Sequence, residues 1–412
     1  MKDTINITHD HFKIHKKGQD LDDLRSTNMS VLLSAIWDHA PVARSDLSQM
    51  TGLAPSSITR LLQILKSQGL IREGKKGHSS GGRLPQLVEP DPEAGLIVCL
   101  DISGSLVRAG VYNTANQLVQ VLEQPFQGFG PDAVRKQIIS LAHSMMENSQ
   151  LHPPLKFIGI GVCQPGTLDI SNGIIGEAVN LRLKNFPIHA ILSEEFHLPI
   201  FIEQDALAAA LAEKTFGAGR GLNDMIYIMA TSGVGAGIIS NGQIYRGSRG
   251  RAGEIGHIVV DRVGPICSCG KRGCLESIAG KPAILSQAQR ILVNNQDAIL
   301  AGIVGDNPAN LTLEVICQAA NAGSQIVQEL IDNAIEHLAI GIQTLATLVD
   351  IQVVIFGGDL PQMDKLFFEK LQKAVDRLQK SEESIMILPS QLQSNAFLRG
   401  IGMLTLQRII SE

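Results

Sequence analysis

Three cysteines and one histidine lie close together near the middle of the chain. They are His257, Cys267, Cys269 and Cys274. Glycines between the cysteines permit the tight turns that point three sulfurs at one centre. Four nitrogen and sulfur ligands make a closed tetrahedral zinc site of the structural type, and metal binding is then coupled to folding of the loop. The sequence therefore predicts a structural Zn²⁺ site in a loop over residues 257–276.

The other cysteine chemistries fit less well. A Cys-x-Cys spacing is poor for disulfide pairing, and disulfides are rare in the reducing cytoplasm. Unligated core thiols are the other alternative, but three thiols in eight residues among glycines are not core composition. Cys99, Cys163 and Cys317 stand singly in apolar runs, so we expect them to be small core residues.

Length and charge limit the classes of protein that remain. A chain of 412 residues is too long for one core, so two or three domains are expected. The net charge of −5 does not mark the whole chain as a nucleic-acid binder, although it can hide a local basic face. No apolar run is long enough to span a bilayer, and the polar N-terminus lacks a secretory pattern. We expect a cytoplasmic protein without membrane insertion.

The N-terminal part has the pattern of a small DNA-binding domain. Residues 1–20 are predicted to form a flexible arm, and residues 21–90 a winged helix-turn-helix. Ser45 is expected to cap the second helix and Pro55 to begin the third. Residues 70–88 are expected to form a small β-hairpin wing.

In such a domain the second helix of the turn enters the major groove and the wing can reach a minor groove. A basic stretch over residues 60–83 suits contact with phosphates. A helical protein-interaction module with solvated charges is the alternative. The predicted DNA-contacting residues are Pro55, Ser56, Ser57, Thr59, Arg60 and Arg83.

Residues 91–412 have the alternating strands and helices of an α/β fold. Two βββαβα-like halves, each beginning with a buried apolar strand, predict two lobes with a cleft between them. Asp205 ends a predicted strand, where a carboxylate can cap the following helix or act as a general base toward a hydroxyl. Glu254, His257 and Glu276 surround the cysteine loop, and their side chains suit hydrogen bonds to vicinal sugar hydroxyls.

Two motifs make the chain resemble the ROK family of repressors, open reading frames and kinases. They are Ala252-Gly253-Glu254-Ile255-Gly256-His257 and the cysteine run that ends at Glu276. The resemblance implies an actin/hexokinase-like two-lobed domain over residues 91–412 that binds sugar and forms dimers or tetramers. The N-terminal domain is similar to that of the regulator branch. The resemblance implies zinc ligation by His257, Cys267, Cys269 and Cys274, and sugar binding by Asn180, Gln204, Asp205, Glu254, His257 and Glu276.

Asp205 matches the catalytic base of the family's kinases, but the first phosphate loop departs from their pattern. Ser103, Ser105 and Leu106 replace a glycine, a threonine and a lysine. Since phosphoryl transfer tolerates little misplacement, we expect no enzyme activity. The resemblance instead implies a sugar-responsive repressor that binds a palindromic double-stranded operator and is relieved by a sugar or sugar phosphate. An ATP-dependent sugar kinase with an attached DNA-binding domain and a repressor sequestered by a sugar-transport protein are the alternatives.

Overall fold

The structure is a computed structural model that describes residues 21–76, 86–103, 106–147, 155–379 and 384–411. The predicted arm over residues 1–20 lies outside the described residues, as do Arg83 and Ser105. None of the described helices is both long and apolar enough to cross a bilayer.

The N-terminal unit consists of three helices and a three-stranded antiparallel sheet of order β1-β3-β2. Its elements are α1 (Leu21–His39), β1 (Val42–Ala43), α2 (Arg44–Thr51), α3 (Pro55–Ser67), β2 (Ile71–Lys76) and β3 (Gln86–Pro90). The expected helix starting at Pro55 is present, and the two strands of the expected hairpin pair antiparallel; their connection over residues 77–85 lies outside the described residues. The short strand β1, which pairs with β3, was not predicted, because two residues carry no usable pattern.

The helix pair α2–α3 follows from its sequence. Gly52 adopts a left-handed conformation (φ 69°) that ends α2, and Pro55 begins α3 three residues later. Ile58, Leu61, Leu62 and Leu65 recur at helical spacing and are buried. The prediction that Ser45 caps α2 is wrong: Ala43 holds the N-cap position, and Ser45 lies inside the first turn with its hydroxyl directed to Asp46.

The first lobe is built on a five-stranded sheet, with a small three-stranded sheet beside it. Its elements are β4 (Leu96–Asp101), β5 (Leu106–Asn113), β6 (Leu118–Pro125), α4 (Pro131–Glu147), β7 (Phe157–Gln164), β8 (Thr167–Asp169), β9 (Ile174–Ala178), β10 (Leu183–Phe186), α5 (Ile188–Phe196) and β11 (Ile200–Gln204). The large sheet has the order β11-β7-β4-β5-β6, and the small one β10-β9-β8.

The second lobe repeats this plan and adds most of the helices. Its elements are α6 (Asp205–Phe216), β12 (Met225–Ala230), β13 (Val234–Ser240), β14 (Gln243–Ile244), α7 (Leu275–Ala279), α8 (Lys281–Val293), α9 (Ala298–Val304), α10 (Leu313–Asn321), α11 (Gln325–Val349), β15 (Val353–Gly358), α12 (Phe367–Leu378), β16 (Met386–Pro389) and α13 (Asn395–Ser411). The sheet order is β14-β13-β12-β15-β16.

Both large sheets share one topology. In each, three strands form an antiparallel meander and two further strands join in parallel. Helices α6 and α13 pack against each other; α6 contacts strands of both large sheets, and α13 contacts strands of the first-lobe sheet. Glycine permits this close packing: a Cβ on Gly400 of α13 would lie 2.0 Å from the carbonyl oxygen of Ala208 in α6. The predicted α/β protein with two similar halves is therefore the observed architecture.

Candidate functional site

A cavity of about 670 Å³ lies between the lobes. It is of the size that small-molecule ligands occupy in proteins. Gly166, which has φ +83°, turns the chain beside it. All six residues predicted to bind sugar line this cavity: Asn180, Gln204, Asp205, Glu254, His257 and Glu276.

The first lobe contributes two amide side chains. Asn180 lies in a 3-10 turn after β9, and its Nδ2 donates to the carbonyl oxygen of Ser103 at 3.3 Å. Gln204 ends β11, and its Nε2 donates to the carbonyl oxygen of Gly166 at 2.9 Å. Each amide thus has one group held by the protein backbone, which orients the side chain at the cavity wall.

Asp205 is the first residue of α6 and is buried. Its Oδ1 accepts a hydrogen bond of 2.7 Å from the backbone N–H of Ala206. Burial raises the pKa of Asp205 to about 8, and the nearby charges of Asp101 and Glu254 contribute to the rise. The carboxyl therefore accepts a hydrogen bond from one of the free backbone N–H groups in the first turn of α6. It also has the pKa of a group that can accept a proton near neutral pH.

Glu254 and Glu276 come from the second lobe on either side of the cysteine loop. Gly253 precedes Glu254 with φ +89°, and a Cβ there would meet the carbonyl oxygen of Ala236 at 1.9 Å, so only glycine fits. Glu276 lies in the first turn of α7 and accepts a hydrogen bond from the backbone N–H of Val234 at 3.0 Å. Two carboxylates thus face the cavity from fixed backbone positions.

The four predicted metal ligands converge on one point. Their ligand atoms all lie within 4.8 Å of one another. His257 Nδ1 is 3.6 Å from Cys267 Sγ, and Cys269 Sγ is 3.7 Å from Cys274 Sγ. A tetrahedron with Zn–S bonds of about 2.3 Å and Zn–N bonds of about 2.0 Å has edges of roughly 3.8 Å and 3.6 Å. The residues present therefore fit a tetrahedral zinc ion.

Other features of this loop agree with ligation rather than with a disulfide. The separation of the Cys269 and Cys274 sulfurs far exceeds the S–S bond length of about 2.05 Å. His257 directs Nδ1 to the thiols, and its Nε2 lies 4.0 Å from Glu254 Oε2 on the cavity side. One imidazole can thus bind a metal through one nitrogen and face a ligand in the cavity with the other. A bound zinc ion would hold the loop rigid and take part in no chemical step.

The first phosphate loop, which follows β4, is joined by a hydrogen bond to the turn between β12 and β13 in the other lobe. The Asp101 carboxylate accepts hydrogen bonds from the backbone N–H and the hydroxyl of Ser103. Ser232, in the turn between β12 and β13, donates its hydroxyl to the carbonyl oxygen of Ser103 at 3.2 Å. These hydrogen bonds join the turn after β4 to the turn between β12 and β13.

Sequence reasoning missed several charged residues at the cavity. Lys184, Arg251 and Lys271 line it, and Lys271 Nζ donates to the carbonyl oxygen of His257 at 2.8 Å. Arg246 forms an ion pair with buried Glu203, which directly precedes Gln204. Arg251 could have been found from its place beside the motif that begins at Ala252. Lys271 could likewise have been found from its place inside the cysteine loop, whereas Lys184 carries no local signal, since the fold alone brings it to the cleft.

The predicted DNA-contacting residues of α3 lie on its outer surface. Pro55, Ser56, Thr59 and Arg60 are exposed, and Ser57 is half-buried. The basic stretch is less positive than expected, because Lys66 Nζ lies 2.6 Å from Glu73 and Arg72 Nε lies 2.7 Å from Glu89.

Two lobes of like topology with a polar cleft between them define a protein of the hexokinase-like α/β class. The family model described as "ROK family" matches residues 97–408, and the chain belongs to the ROK family. The chain is 30% identical over 357 residues to the xylose repressor of Caldicellulosiruptor bescii, covering 86% of this chain and 88% of that one. It is 28% identical over 368 residues to the N-acetylglucosamine repressor of Escherichia coli O157:H7, covering 86% of each.

Solved structures share the fold. A ROK family transcriptional regulator, a homologue of the E. coli Mlc protein, superposes with a TM-score of 0.76 at 23% identity and covers 94% of this chain and 97% of its own. A ROK family glucokinase from Streptomyces griseus, in complex with glucose and AMPPNP, gives a TM-score of 0.66 at 28% identity and covers 75% of this chain and 99% of its own. Both a regulator and a kinase are thus built on this architecture.

Proposed function

We propose that the protein is a cytoplasmic, sugar-responsive DNA-binding transcriptional regulator that represses genes of carbohydrate uptake or catabolism. The observation that carries the proposal is the placement of all six predicted sugar ligands around one cleft, in a chain that also has a helical N-terminal unit with an exposed α3. The relatives named as xylose and N-acetylglucosamine repressors support it. The chemical class of the effector is a sugar or sugar phosphate, and zinc stabilises the loop that presents Glu254 and Glu276.

The N-terminal unit serves as a winged helix-turn-helix. α2 and α3 are the two helices of the helix-turn-helix, and β2 and β3 are the strands of the wing. The residues that α3 presents to the major groove are Pro55, Ser56, Ser57, Thr59 and Arg60. A homodimer or tetramer places two such helices on the halves of a palindromic operator. The sugar binds the conformation that does not fit the operator more tightly, since only a difference in affinity can shift the equilibrium.

Replacing the exposed Arg60 by alanine is expected to weaken DNA binding. The loss of one arginine contact to a base or phosphate corresponds to about 1–3 kcal/mol, or roughly 5- to 150-fold in affinity. The DNA probe is a duplex selected from a random library by the full chain, and affinity is measured by fluorescence anisotropy at two salt concentrations. Arg135→Ala, at an exposed position of α4 in the first lobe, is the matched control. Equal affinities of the two variants would contradict the assignment of α3.

One observation favours a sugar kinase as a second candidate. The raised pKa of Asp205, about 8, suits a general base that takes a proton from a sugar hydroxyl. The first phosphate loop opposes it, because Ser103, Ser105 and Leu106 stand where the family's kinases have a glycine, a threonine and a lysine.

A thermal-shift panel separates the two candidates. D-xylose, D-glucose, N-acetylglucosamine and its 6-phosphate are tested with and without Mg-ATP. A ligand that binds only the native state raises the melting temperature by mass action. The regulator predicts that at least one sugar raises the melting temperature and that Mg-ATP adds nothing. A further shift with Mg-ATP, together with sugar-dependent ADP release that Asp205→Asn abolishes, would establish the kinase. No shift with any sugar would favour control by a sequestering protein.

A further inference from the structure

One helix connects the cleft to the N-terminal unit. Asp205, the first residue of α6, lines the cavity, and Ala206 and Leu207 line it as well. The helix has 12 residues, which corresponds to a length of about 18 Å. Almost every residue of α6 is buried between the two sheets. A displacement at its first turn therefore cannot be absorbed by solvent-exposed side chains and is carried along the helix.

The far end of α6 is held rigidly. Glu213 is completely buried, and its carboxylate accepts hydrogen bonds from Ser390 Oγ, from the backbone N–H of Leu392 and from that of Ala218. Arg399 of α13 lies 3.7 Å from the centre of the Phe216 ring. These contacts connect the turn over residues 217–222 to both α6 and α13.

That turn contacts the N-terminal unit through one arginine. Arg220 Nε lies 2.6 Å from Asp38 Oδ1, and Arg220 Nη2 donates to the carbonyl oxygen of Asp38 at 3.1 Å. Asp38 belongs to the last turn of α1 and is only 17% exposed in its side chain. The charge of Asp38 also acts on Lys214 of α6, and its other carboxylate oxygen lies 3.1 Å from His39 Nε2. Arg220 therefore contacts both the side chain and the backbone of Asp38 in α1.

Two further contacts lie along the same face of α1. Trp37 Nε1 donates to the carbonyl oxygen of Thr114 at 3.2 Å, and Gln407 of α13 donates to Ser34 Oγ at 3.2 Å. Apolar residues of α1, including Leu32 and Ile36, belong to the same buried cluster as residues of α6 and α13. The N-terminal unit is thus packed onto the two-lobed domain through α1, and α1 leads directly into β1 and α2.

We propose that the Arg220–Asp38 contact is the junction through which occupancy of the cleft controls the orientation of the DNA-binding unit. This inference rests on the proposed function and specifies its regulation. A sugar that engages Asp205 at the start of α6 shifts α6 and the turn over residues 217–222, and Arg220 transmits the shift to α1. Arg220 is a positioning residue, since it touches neither the cleft nor the predicted DNA-contacting residues.

The chain carries a built-in reporter of this junction. Trp37 is its one tryptophan, and it lies next to Asp38. The indole of Trp37 is half-buried against the two-lobed domain. A change in how α1 packs on that domain therefore alters the fluorescence emission of Trp37. Trp37 emission therefore reports on the contact between α1 and the two-lobed domain even when the operator sequence is unknown.

The test compares wild type with Arg220→Ala in the full chain. The sugars are D-xylose, D-glucose, N-acetylglucosamine and its 6-phosphate, and binding is measured by calorimetry. In wild type we expect sugar binding to change Trp37 emission and to weaken binding of the selected DNA duplex by roughly 5- to 150-fold. In Arg220→Ala we expect sugar affinity within about threefold of wild type, no change in Trp37 emission on sugar addition, and duplex affinity that is insensitive to sugar.

Asp38→Asn and the double variant distinguish a specific contact from general destabilisation. If the two side chains act as one unit, each single variant loses the response and the double variant loses no more. Arg377→Ala is the control, because Arg377 is about as exposed as Arg220 and forms an ion pair with Glu336, away from α1. A full Trp37 and duplex response in Arg220→Ala would overturn the junction while leaving the sugar-responsive function intact. Absence of sugar binding to wild type would overturn both.

Discussion

Cys269→Ser is expected to lose bound zinc and the sugar response together. Cys269 is exposed, so the substitution removes one of four ligands without opening a hole in the core. The loop between Glu254 and Glu276 is closed by backbone hydrogen bonds, such as that from Cys267 N to the Lys271 carbonyl oxygen, and by side-chain hydrogen bonds, such as that from Arg272 to the Gly264 carbonyl oxygen. Bound zinc would add its binding free energy to the ordering of this loop, and the variant loses that contribution. We expect zinc content to fall from one ion per chain to near zero and sugar affinity to fall by about 10- to 100-fold or more.

Zinc is measured by elemental analysis of the purified chain, and sugar affinity by calorimetry. Cys317→Ser is the matched control, because Cys317 lies on α10 outside the ligand cluster. A metal-free Cys269→Ser chain with the wild-type sugar response would show that the loop needs no metal. Full zinc content in the variant would show that the other three ligands suffice.

Asp205→Asn is expected to make the chain more stable at alkaline pH. The unfolded chain has an ordinary aspartate pKa of about 3.9, whereas the buried carboxyl titrates at about 8. Between these values the folded chain holds a proton that the unfolded chain has lost, so wild-type stability falls as pH rises through this range. Asparagine carries no such penalty and can still accept the hydrogen bond from Ala206. We expect the variant to gain on the order of a few kcal/mol at pH 8.5.

The quantity to compare is the difference in free energy of unfolding between Asp205→Asn and wild type, because other groups titrate over the same pH range in both chains. Denaturant unfolding of both chains at pH 4.5, 6.5 and 8.5 gives it directly. The advantage of the variant should be small at pH 4.5 and grow with each step. A constant difference across the three pH values would mean that Asp205 is ionised throughout and that its burial is compensated.

Much of the candidate site could be predicted because its chemistry is local in sequence. The short spacing between the ligands of the cysteine loop, with glycines between them, limits how far apart the side chains can lie. The structure brings His257 and the three cysteines together as expected. Short apolar runs such as Met225–Ala230 form fully buried strands, as runs of this kind indicate. The assignments of these residues to zinc, sugar and DNA remain predictions.

The parts that could not be predicted depend on contacts between distant segments. Ser103 stands out in the sequence only as a departure from the phosphate-loop pattern, and nothing in the sequence pairs it with Ser232; the packing of the lobes brings the two together. The contact between Asp38 and Arg220 spans 182 positions, and neither residue belongs to a motif. The error at Ser45 has a different origin, since a serine near a helix start can lie one or two places inside the helix as easily as at its cap.

The shared topology of the two large sheets has a consequence for how such proteins diversify. In open α/β sheets, ligands bind beyond the carboxyl ends of the parallel strands. β7 and β12 end at Gln164 and Ala230, and the turns that follow them, with Gly166 and Gly233, line the cleft. These turns lie outside the strands of both sheets and outside α6 and α13. Under the proposed function, exchanging these turns between family members is expected to change which ligand the cleft binds while leaving the N-terminal unit unaltered.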